Sequence, residues 1–203
     1  TLFRYRRRLL RQISPALELG RAFVRPEYQK AHASLALLWK GIGQMVVNRR
    51  RYKMLFGTVS INNEYNSVSR QLITAFLKMN EYRRDLARLV RPKNPPRRRR
   101  IPAWDQESTC RVVTDVEDVS ALVSEIESDR KGIPILLRQY LKLGAKLLGF
   151  NIDPAFSDVL DGLILLDLTQ TDPRILERFM GEEGAASFLE YHRRATEAVG
   201  ASA

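Results

Sequence analysis

Residues 18–29 read Glu-Leu-Gly-Arg-Ala-Phe-Val-Arg-Pro-Glu-Tyr-Gln, and a stretch with helical spacing follows over residues 33–47. The apolar run before Pro26 has the composition of a β-strand, so the pattern predicts a strand, a turn and a long helix. Two opposite charges, Glu18 and Arg21, stand inside this otherwise apolar strand. Because burying an unpaired charge is costly, charges in a strand interior are usually paired or used. This stretch therefore contains most of the functional information in the sequence.

The size and composition of the chain are those of a globular protein. Its 203 residues suit a single domain over residues 1–203, and the 44% of hydrophobic and 28% of charged residues form an ordinary balance. No apolar run approaches the ~20 residues of a transmembrane helix, and we expect no signal peptide. Cys110 is the single cysteine, which excludes an internal disulfide and a cysteine-rich metal site. These features favour a cytoplasmic protein.

Positive charge is concentrated in the first half of the chain. Residues 1–100 contain 24 Lys and Arg against 5 Asp and Glu, whereas residues 101–203 contain 10 against 18. This asymmetry predicts an acidic partner for the first half, which is nucleic acid, an anionic membrane face or an acidic carrier protein. Nucleic acid is the weakest of the three, because no nucleic-acid motif is present and no aromatic residues are interleaved with the arginine runs.

The remaining sequence alternates helix-like and strand-like segments, which predicts a mixed α/β fold. We expect a basic loop over residues 91–109, where four prolines surround four consecutive arginines, and we expect Ser67 to cap a helix. The predicted strands cover residues 16–25, 53–61, 145–152 and 162–168, of which the last two are expected to form a hairpin. The predicted helices cover residues 6–12, 33–48, 68–79, 115–128, 134–143, 173–180 and 183–198.

Several motifs resemble those of one family, in the same order along the chain. The Glu-Leu-Gly-Arg strand at 18–21, the Arg-Pro-Glu-Tyr-Gln turn at 25–29 and the Leu-Leu-Trp-Lys-Gly helix at 37–41 resemble GNAT-type N-acyltransferases. These include the ornithine-lipid synthases and the hemolysin-like acyltransferases, and the strand is distantly similar to that of acyl-homoserine-lactone synthases. Later segments with the same resemblance are 56–61 with Tyr65, 132–146, 150–153, Phe156 and 161–163.

The resemblance implies a GNAT-like acyl-CoA N-acyltransferase fold and a reaction. A fatty acyl group would move from acyl-4′-phosphopantetheine on acyl carrier protein, or from acyl-CoA, to the amino group of an amino acid such as ornithine or glycine. Neither a metal nor a tightly bound cofactor is implied. Members of the family have further strands and helices before the Glu18 strand, where this sequence has about fifteen residues. We therefore expect the sequence to be the C-terminal part of a longer acyltransferase.

The resemblance also implies catalytic roles. An α-amino group must be neutral to attack a thioester, and Glu18 is the expected base that takes its proton. Arg21 is expected to orient Glu18 or to bind the carboxylate of the amino acid. Tyr65, or with less weight Ser60, is expected to protonate the leaving thiolate. The alternatives are a structural ion pair between Glu18 and Arg21 and a packing role for Tyr65 at the start of a helix.

Donor binding is expected where the charged strand meets the helix. Backbone N–H groups at Ala22, Phe23 and Val24 are expected to hold the thioester oxygen and the pantetheine amides. The start of the helix can bind phosphate, because its first N–H groups lack helical partners. The residues expected at that turn are Gln29, His32 and Ser34. The alternative for His32 is an ordinary turn residue near the phosphate. A metal role is not expected for it, because partner ligands are lacking.

Two arginine runs are expected to dock an acidic partner, which is acyl carrier protein or the anionic headgroups of the inner membrane face. They consist of Arg49, Arg50 and Arg51 and of Arg97, Arg98, Arg99 and Arg100. The alternative is a solvated loop without a binding role. Two other functions stay open: a basic membrane-docking module without its own catalysis, and a module associated with a lysophospholipid or glycerolipid O-acyltransferase domain. The His-x-x-x-x-Asp signature of that domain does not occur at His32 or His192.

Overall fold

The computed structural model of the chain describes residues 1–20, 25–28, 33–96 and 115–200. The strands in these ranges are β1 (Phe3–Tyr5), β2 (Ala16–Leu19), β3 (Met54–Ile61), β4 (Val90–Pro92), β5 (Lys146–Asp153) and β6 (Val159–Asp167). The α-helices are α1 (Arg7–Ile13), α2 (Ala33–Asn48), α3 (Ser67–Asn80), α4 (Arg84–Ala87), α5 (Val116–Ile126), α6 (Ile135–Lys142), α7 (Pro173–Met180) and α8 (Glu182–Gly200). The predicted mixed α/β class is confirmed, and the architecture is consistent with a GNAT-like acyltransferase fold.

The chain divides into two compact units, each made of two segments. Unit 1 contains Thr1–Ile13 and Gly57–Leu166, and unit 2 contains Ser14–Phe56 and Asp167–Ala203. The division falls inside β3, whose first three residues belong to unit 2 and whose last five belong to unit 1. The prediction of a single domain over residues 1–203 stays a prediction.

Four of the strands follow the order β2-β3-β6-β5. β5 and β6 are antiparallel neighbours in unit 1, and their register places Asn151 opposite Asp161. The predicted hairpin is confirmed, but β6 begins at Val159 rather than at residue 162. A short 3-10 helix at Pro154–Phe156 makes the turn, and the left-handed backbone of Ser157 and Asp158, with φ of 53° and 54°, completes it. The tight turn lets strand pairing resume earlier than the sequence pattern indicated.

β1 and β4 form a separate two-stranded antiparallel sheet, in which Phe3 lies opposite Pro92 and Tyr5 lies opposite Val90. The structure therefore differs from the predicted loop at its start, because residues 91 and 92 belong to a strand. Proline lacks an N–H group but is tolerated in edge strands such as this one. Residues 97–114, which contain the rest of the predicted loop, lie outside the described residues.

The start of α3 also differs from the prediction. Its N-cap is Asn66 and not Ser67, which is the first helical residue. The Asn66 side chain accepts a hydrogen bond from the backbone N–H of Val68 at 2.9 Å. The backbone N–H of Asn66 donates to Glu127 Oε1 at 2.8 Å, so the buried Glu127 carboxylate fixes the position at which the helix begins. Both residue types are good caps, and this distant contact selects between them.

Unit 1 is built around the hairpin and α3. Every residue of β6 from Val159 to Leu166 is buried, which is the pattern of a strand covered on both faces. α3 contributes Leu72, Ile73 and Phe76, each at most 2% exposed, at the i, i+1 and i+4 positions of one helix face. This core supports the end of β3.

Unit 2 packs α2 against α7 and α8. Trp39 of α2 contacts Phe179 of α7 with ring centroids 5.9 Å apart. A side chain at Gly43 would place its Cβ only 2.5 Å from the carbonyl oxygen of Phe179, so glycine is what allows the two helices to approach this closely. Val46 of α2 and Phe188 of α8 are fully buried. Within the described ranges, no helix combines the length and the apolar character needed to cross a membrane.

The capping geometry yields the first prediction. Asn66→Ala removes the acceptor for the Val68 N–H, so we expect the free energy of unfolding to fall by about 1 kcal/mol, or the melting temperature to fall by roughly 2–4 °C. Ser67→Ala is the matched control, and we expect it to change the melting temperature by less than half as much. Thermal denaturation followed by circular dichroism measures both variants. A larger loss for Ser67→Ala than for Asn66→Ala would contradict the assignment of the cap.

Candidate functional site

Unit 1 contains an open cleft of about 800 Å³ beside the end of β3. Its lining comes from the β3–α3 connection, from one face of α5 and from the segment that leads into α6. The lining residues are Ser60, Asn62, Glu64, Tyr65, Glu117, Ser120, Ala121, Ser124, Lys131, Gly132, Ile133, Pro134, Ile135 and Arg138. Two predicted site residues, Ser60 and Tyr65, are thus brought to one cleft.

Ser60 reaches the cleft because burial alternates along the second half of β3. Val59 and Ile61 are buried on one face, and Ser60 is exposed on the other. The Ser60 hydroxyl donates a hydrogen bond to Asp161 Oδ1 at 2.6 Å. Asp161 lies on the neighbouring strand β6 and is only 3% exposed.

The environment of Asp161 disfavours its charged form. Burial is the largest cause and raises the pKa of this carboxyl above its ordinary value. The hydrogen bond from Ser60 acts in the opposite direction, and the negative charge of Asp153 adds to the rise. Among the described residues, no cation forms an ion pair with Asp161. An exposed hydroxyl in the cleft is therefore hydrogen-bonded to a buried carboxyl that takes up a proton more readily than usual.

Tyr65 is buried, and its hydroxyl donates to the carbonyl oxygen of Gly132 at 2.8 Å. Burial, followed by the negative charges of Glu127 and Asp129, raises the pKa of Tyr65 to about 12. Gly132 has no room for a side chain, since a Cβ atom there would lie 2.1 Å from Ser120 Oγ. The single proton of Tyr65 is thus held by a backbone carbonyl and is given up only at high pH.

Lys131 lies over the ring of Tyr65, with its Nζ atom 4.7 Å from the ring centroid. The same Nζ atom is 3.2 Å from Asp129 and 3.8 Å from the buried carboxylate of Glu127. Because Glu127 also accepts from the backbone of Asn66, the segment 127–131 is connected to the start of α3. These contacts fix the shape of one side of the cleft.

The lining of the cleft includes a second group of charges. Glu117 of α5 is 2.8 Å from Lys142 and 3.4 Å from Arg138, both on α6. The hydrogen bond with Lys142 is the largest cause that lowers the pKa of Glu117. The cleft therefore presents carboxylates and cations together, which suits a small ligand that carries both signs of charge.

The predicted base Glu18 and the predicted donor-binding residue Ser34 belong to unit 2. Glu18 is an exposed residue of β2, and the hydroxyl of Ser34 donates to the carbonyl oxygen of Tyr28 at 2.9 Å. This hydrogen bond connects the first turn of α2 to the 3-10 helix at Pro26–Tyr28, so the predicted turn and helix start are in contact. The predicted site residues that lie outside the described ranges are Arg21, Ala22, Phe23, Val24, Gln29 and His32.

The first arginine run follows the end of α2 in unit 2. Arg49, Arg50 and Arg51 are exposed, and with Tyr191 of α8 they line an open cavity of about 680 Å³. The guanidinium of Arg51 lies 4.6 Å from the ring centroid of Tyr52 and donates to its hydroxyl. His192 Nε2 is 2.6 Å from the carbonyl oxygen of Arg50, which fixes the backbone of the run. The second run, Arg97 to Arg100, lies outside the described residues.

Sequence reasoning missed Asp161 as a site residue, although a signal was present. A charge inside an apolar strand drew attention to Glu18, and Asp161 interrupts the apolar run of β6 in the same way. No comparable signal marked the cluster of Lys131 and Glu127, because four-residue spacing between opposite charges is common on protein surfaces. Among the described residues, no three His, Cys, Asp or Glu side chains come together as a metal site.

Comparison with known proteins found two curated relatives. The chain is 32% identical over 171 residues to a glycine N(alpha)-acyltransferase of Bacteroides thetaiotaomicron, an alignment that covers 78% of this chain and 49% of the relative. It is 28% identical over 178 residues to a glycine N(alpha)-acyltransferase of Phocaeicola vulgatus, with 83% and 54% covered. The chain thus spans about half the length of these relatives. No family model and no solved structure matches the chain. The similarity supports an N-acyltransferase family and leaves the ornithine-lipid and hemolysin-like assignment unconfirmed.

The raised pKa of Asp161 yields the second prediction. A carboxyl with a higher pKa in the folded state contributes stability while it is protonated, and this contribution is lost as the pH rises through the folded-state pKa. In the variant Asp161→Asn the side chain does not titrate, so this loss of stability does not occur, and the amide oxygen still accepts the hydrogen bond from Ser60. We expect the melting temperature of the variant minus that of the parent to be larger at about pH 7.5 than at about pH 4.

Differential scanning fluorimetry at several pH values measures this difference. Asp158→Asn is the control, since Asp158 is an exposed residue of the turn before β6. Its melting temperature relative to the parent should not change in the same way with pH. If the melting temperature of Asp161→Asn minus that of the parent becomes smaller as the pH rises, the assigned direction of the pKa shift is contradicted.

Proposed function

We propose that the chain is part of an N-acyltransferase that moves a fatty acyl group from a thioester to the amino group of an amino acid. The similarity to two proteins named glycine N(alpha)-acyltransferase is the observation that carries this proposal. Glycine is accordingly the first acceptor to test. Ornithine is the second, because the motifs at 18–21 and 25–29 resemble ornithine-lipid synthases.

The proposed reaction begins with the loss of a proton from the ammonium group of the acceptor. Glu18 is the proposed base, and its exposure on β2 is compatible with access to a substrate. Arg21 is proposed to orient Glu18 or to bind the acceptor carboxylate. The neutral amine then attacks the thioester carbonyl, and the tetrahedral intermediate expels the thiolate.

The acceptor is proposed to occupy the cleft of unit 1. The charges that line this cleft occur in both signs, with Glu64 and Glu117 beside Lys131 and Arg138. A zwitterionic amino acid is complementary to such a lining, because each of its charges finds an opposite charge. The volume of about 800 Å³ is sufficient for a single amino acid.

Ser60 is favoured over Tyr65 as the group that protonates the leaving thiolate. The Tyr65 hydroxyl donates to the backbone carbonyl of Gly132, which cannot supply a replacement proton, and burial raises the pKa of Tyr65 to about 12. Ser60 lines the cleft, and its hydroxyl donates to the Asp161 carboxyl at 2.6 Å, a group that can return a proton to it. Tyr65 then has mainly a packing role, as a support for Lys131.

The donor is proposed to be acyl-4′-phosphopantetheine on acyl carrier protein, with acyl-CoA as the alternative. Backbone N–H groups of Ala22, Phe23 and Val24 would hold its thioester oxygen and amides. The start of α2 is proposed to bind the phosphate, with Gln29 and His32 beside it. Ser34 stabilises that turn through its hydrogen bond to Tyr28.

Arg49, Arg50 and Arg51 are proposed to dock acyl carrier protein, because an acidic partner is attracted to a basic surface. A second candidate function, attachment to an anionic membrane face, is favoured by another observation. α2 exposes Leu37 and Met45 and ends at this arginine run, and exposed apolar residues next to basic ones are typical of interfacial helices. The inner face of the cell membrane is then the proposed place of action.

The third prediction tests the reaction itself. We incubate the full-length protein that contains this sequence with acyl-carrier-protein and acyl-CoA thioesters and with glycine or ornithine, and detect N-acyl products by mass spectrometry. We expect Glu18→Gln to lower kcat by about 100-fold or more while the melting temperature stays unchanged. Glu177→Gln, at an exposed position of α7, is the matched control with the parent's kcat. Absence of N-acyl product with every amino acid tested would overturn the proposed function.

The fourth prediction tests docking. The double variant Arg49→Glu, Arg50→Glu should raise KM for acyl carrier protein thioester by about tenfold or more and leave KM for acyl-CoA nearly unchanged, because only the protein donor needs the basic surface. Arg178→Glu, an exposed arginine of α7, is the control. Equal effects on both donors would contradict carrier-protein docking.

The same double variant distinguishes attachment to an anionic membrane from docking of acyl carrier protein. Co-sedimentation with vesicles of phosphatidylglycerol and phosphatidylcholine at low and high salt measures attachment. If the parent binds the vesicles and the variant does not, while both donors keep their KM, the arginine run acts on the membrane. Parent protein that stays in the supernatant at low salt rules out this attachment.

A further inference from the structure

Asp161 is a buried carboxyl that forms no ion pair with a cation in the part of the chain that the structure describes. The other buried carboxyl among the described residues, Glu127, is satisfied by Lys131 and by the backbone N–H of Asn66. The partner of the Asp161 side chain within the described ranges is the hydroxyl of Ser60, at 2.6 Å. Burying a carboxyl without a cation lowers the stability of the fold, and such groups are concentrated at functional sites.

We infer that Ser60 and Asp161 form a two-residue proton relay that carries a proton from the attacking nitrogen to the departing sulfur. The inference rests on the proposed function and identifies Asp161 as a residue that acts in it through Ser60. Ser60 is the catalytic group, since its hydroxyl is the one that lines the cleft. Asp161 is a positioning residue that also stores the proton.

The geometry permits transfer in both directions. A serine hydroxyl has one proton and two lone pairs, so Ser60 can donate to Asp161 and accept from a group in the cleft at the same time. Ser60 is exposed and Asp161 is buried, so the path runs from the cleft to a carboxyl away from water. The negative charge of Asp153 on β5 also favours the protonated state of Asp161.

The protons and electrons of the reaction balance with this relay. The ammonium group of the acceptor first releases one proton to solvent, which converts it to an amine. Attack forms the C–N bond and leaves a second proton on a positively charged nitrogen. Ser60 accepts this second proton while its own proton passes to Asp161. When the C–S bond breaks, its electron pair stays on sulfur, Ser60 gives its proton to that sulfur, and Asp161 returns the stored proton to Ser60.

A purely structural role explains the pair less well. An asparagine at position 161 would accept the same hydrogen bond from Ser60 without burying an ionisable group. The carboxyl differs from the amide in one relevant property, which is its ability to take up and release a proton. Burial, which raises the pKa of Asp161, makes it a better store for a proton in transit.

The test uses the dependence of the rate on the leaving group. An alkyl thioester with a pantetheine-like thiol expels a basic thiolate that benefits from protonation, whereas an aryl thioester expels a stabilised thiolate that does not. We measure kcat of the full-length protein with both donors for the parent, Ser60→Ala, Asp161→Asn and Ser60→Thr. Uncatalysed aminolysis of the aryl thioester is subtracted.

We expect Ser60→Ala and Asp161→Asn to lower kcat with the alkyl thioester by about 100-fold, and with the aryl thioester by less than about tenfold. Ser60→Thr retains the hydroxyl and should stay within about tenfold of the parent with both donors. Thr58→Ala is the matched control, because Thr58 is an exposed residue on the same face of β3. Thr58→Ala should match the parent with both donors.

Each outcome separates the relay from the proposed function. Equal losses with the alkyl and aryl donors, in variants that melt no lower than the parent, would reduce the pair to a structural role and overturn the relay. Unchanged kcat for both variants with the alkyl donor would overturn it as well. If the parent itself forms no N-acyl product from either donor, it is the proposed function that fails.

Discussion

The carboxylate of Glu127 is the contact on which the cleft of unit 1 depends. It is 6% exposed, accepts from the backbone N–H of Asn66 and lies 3.8 Å from Lys131. Since one partner precedes α3 and the other follows α5, a single buried group connects the segments that form the cleft. Removing one partner of such a group leaves a buried charge unsatisfied, so all three positions are constrained together. The cation over Tyr65 and the start of α3 both follow from this contact.

Two buried carboxyls in one unit thus have different consequences. Glu127 is paired with Lys131, whereas Asp161 is hydrogen-bonded by Ser60, has no cation partner among residues 1–20, 25–28, 33–96 and 115–200, and has a raised pKa. Proteins retain uncompensated ionisable groups mainly where chemistry needs them, because substitution by a neutral residue usually improves stability. The contrast within one small unit is the physical reason for placing proton transfer at Ser60 rather than at Tyr65.

The pattern of the sequence was sufficient for most of the fold. Local periodicity and the position of Pro26 predicted the turn at Pro26–Tyr28, the helix over residues 33–48 and the late hairpin. The predicted strand over residues 16–25 is confirmed as far as Leu19, whereas Gly20 and Arg25 are not in a strand and residues 21–24 lie outside the described ranges. The errors occurred where a distant contact decided the outcome. β4 exists because β1 pairs with it, and α3 begins at Asn66 because Glu127 holds that backbone.

The sequence by itself determined the class of fold, the basic first half, the charged stretch at Glu18 and the similarity to N-acyltransferases. Only the tertiary structure decided which polar groups meet, as with Ser60 and Asp161, which are 101 residues apart along the chain. Local periodicity reports the burial preference of each segment, since it depends on neighbours within one or two turns. A hydrogen bond between distant residues depends on the order and alignment of strands and on the packing of helices around them, and no local pattern contains that information.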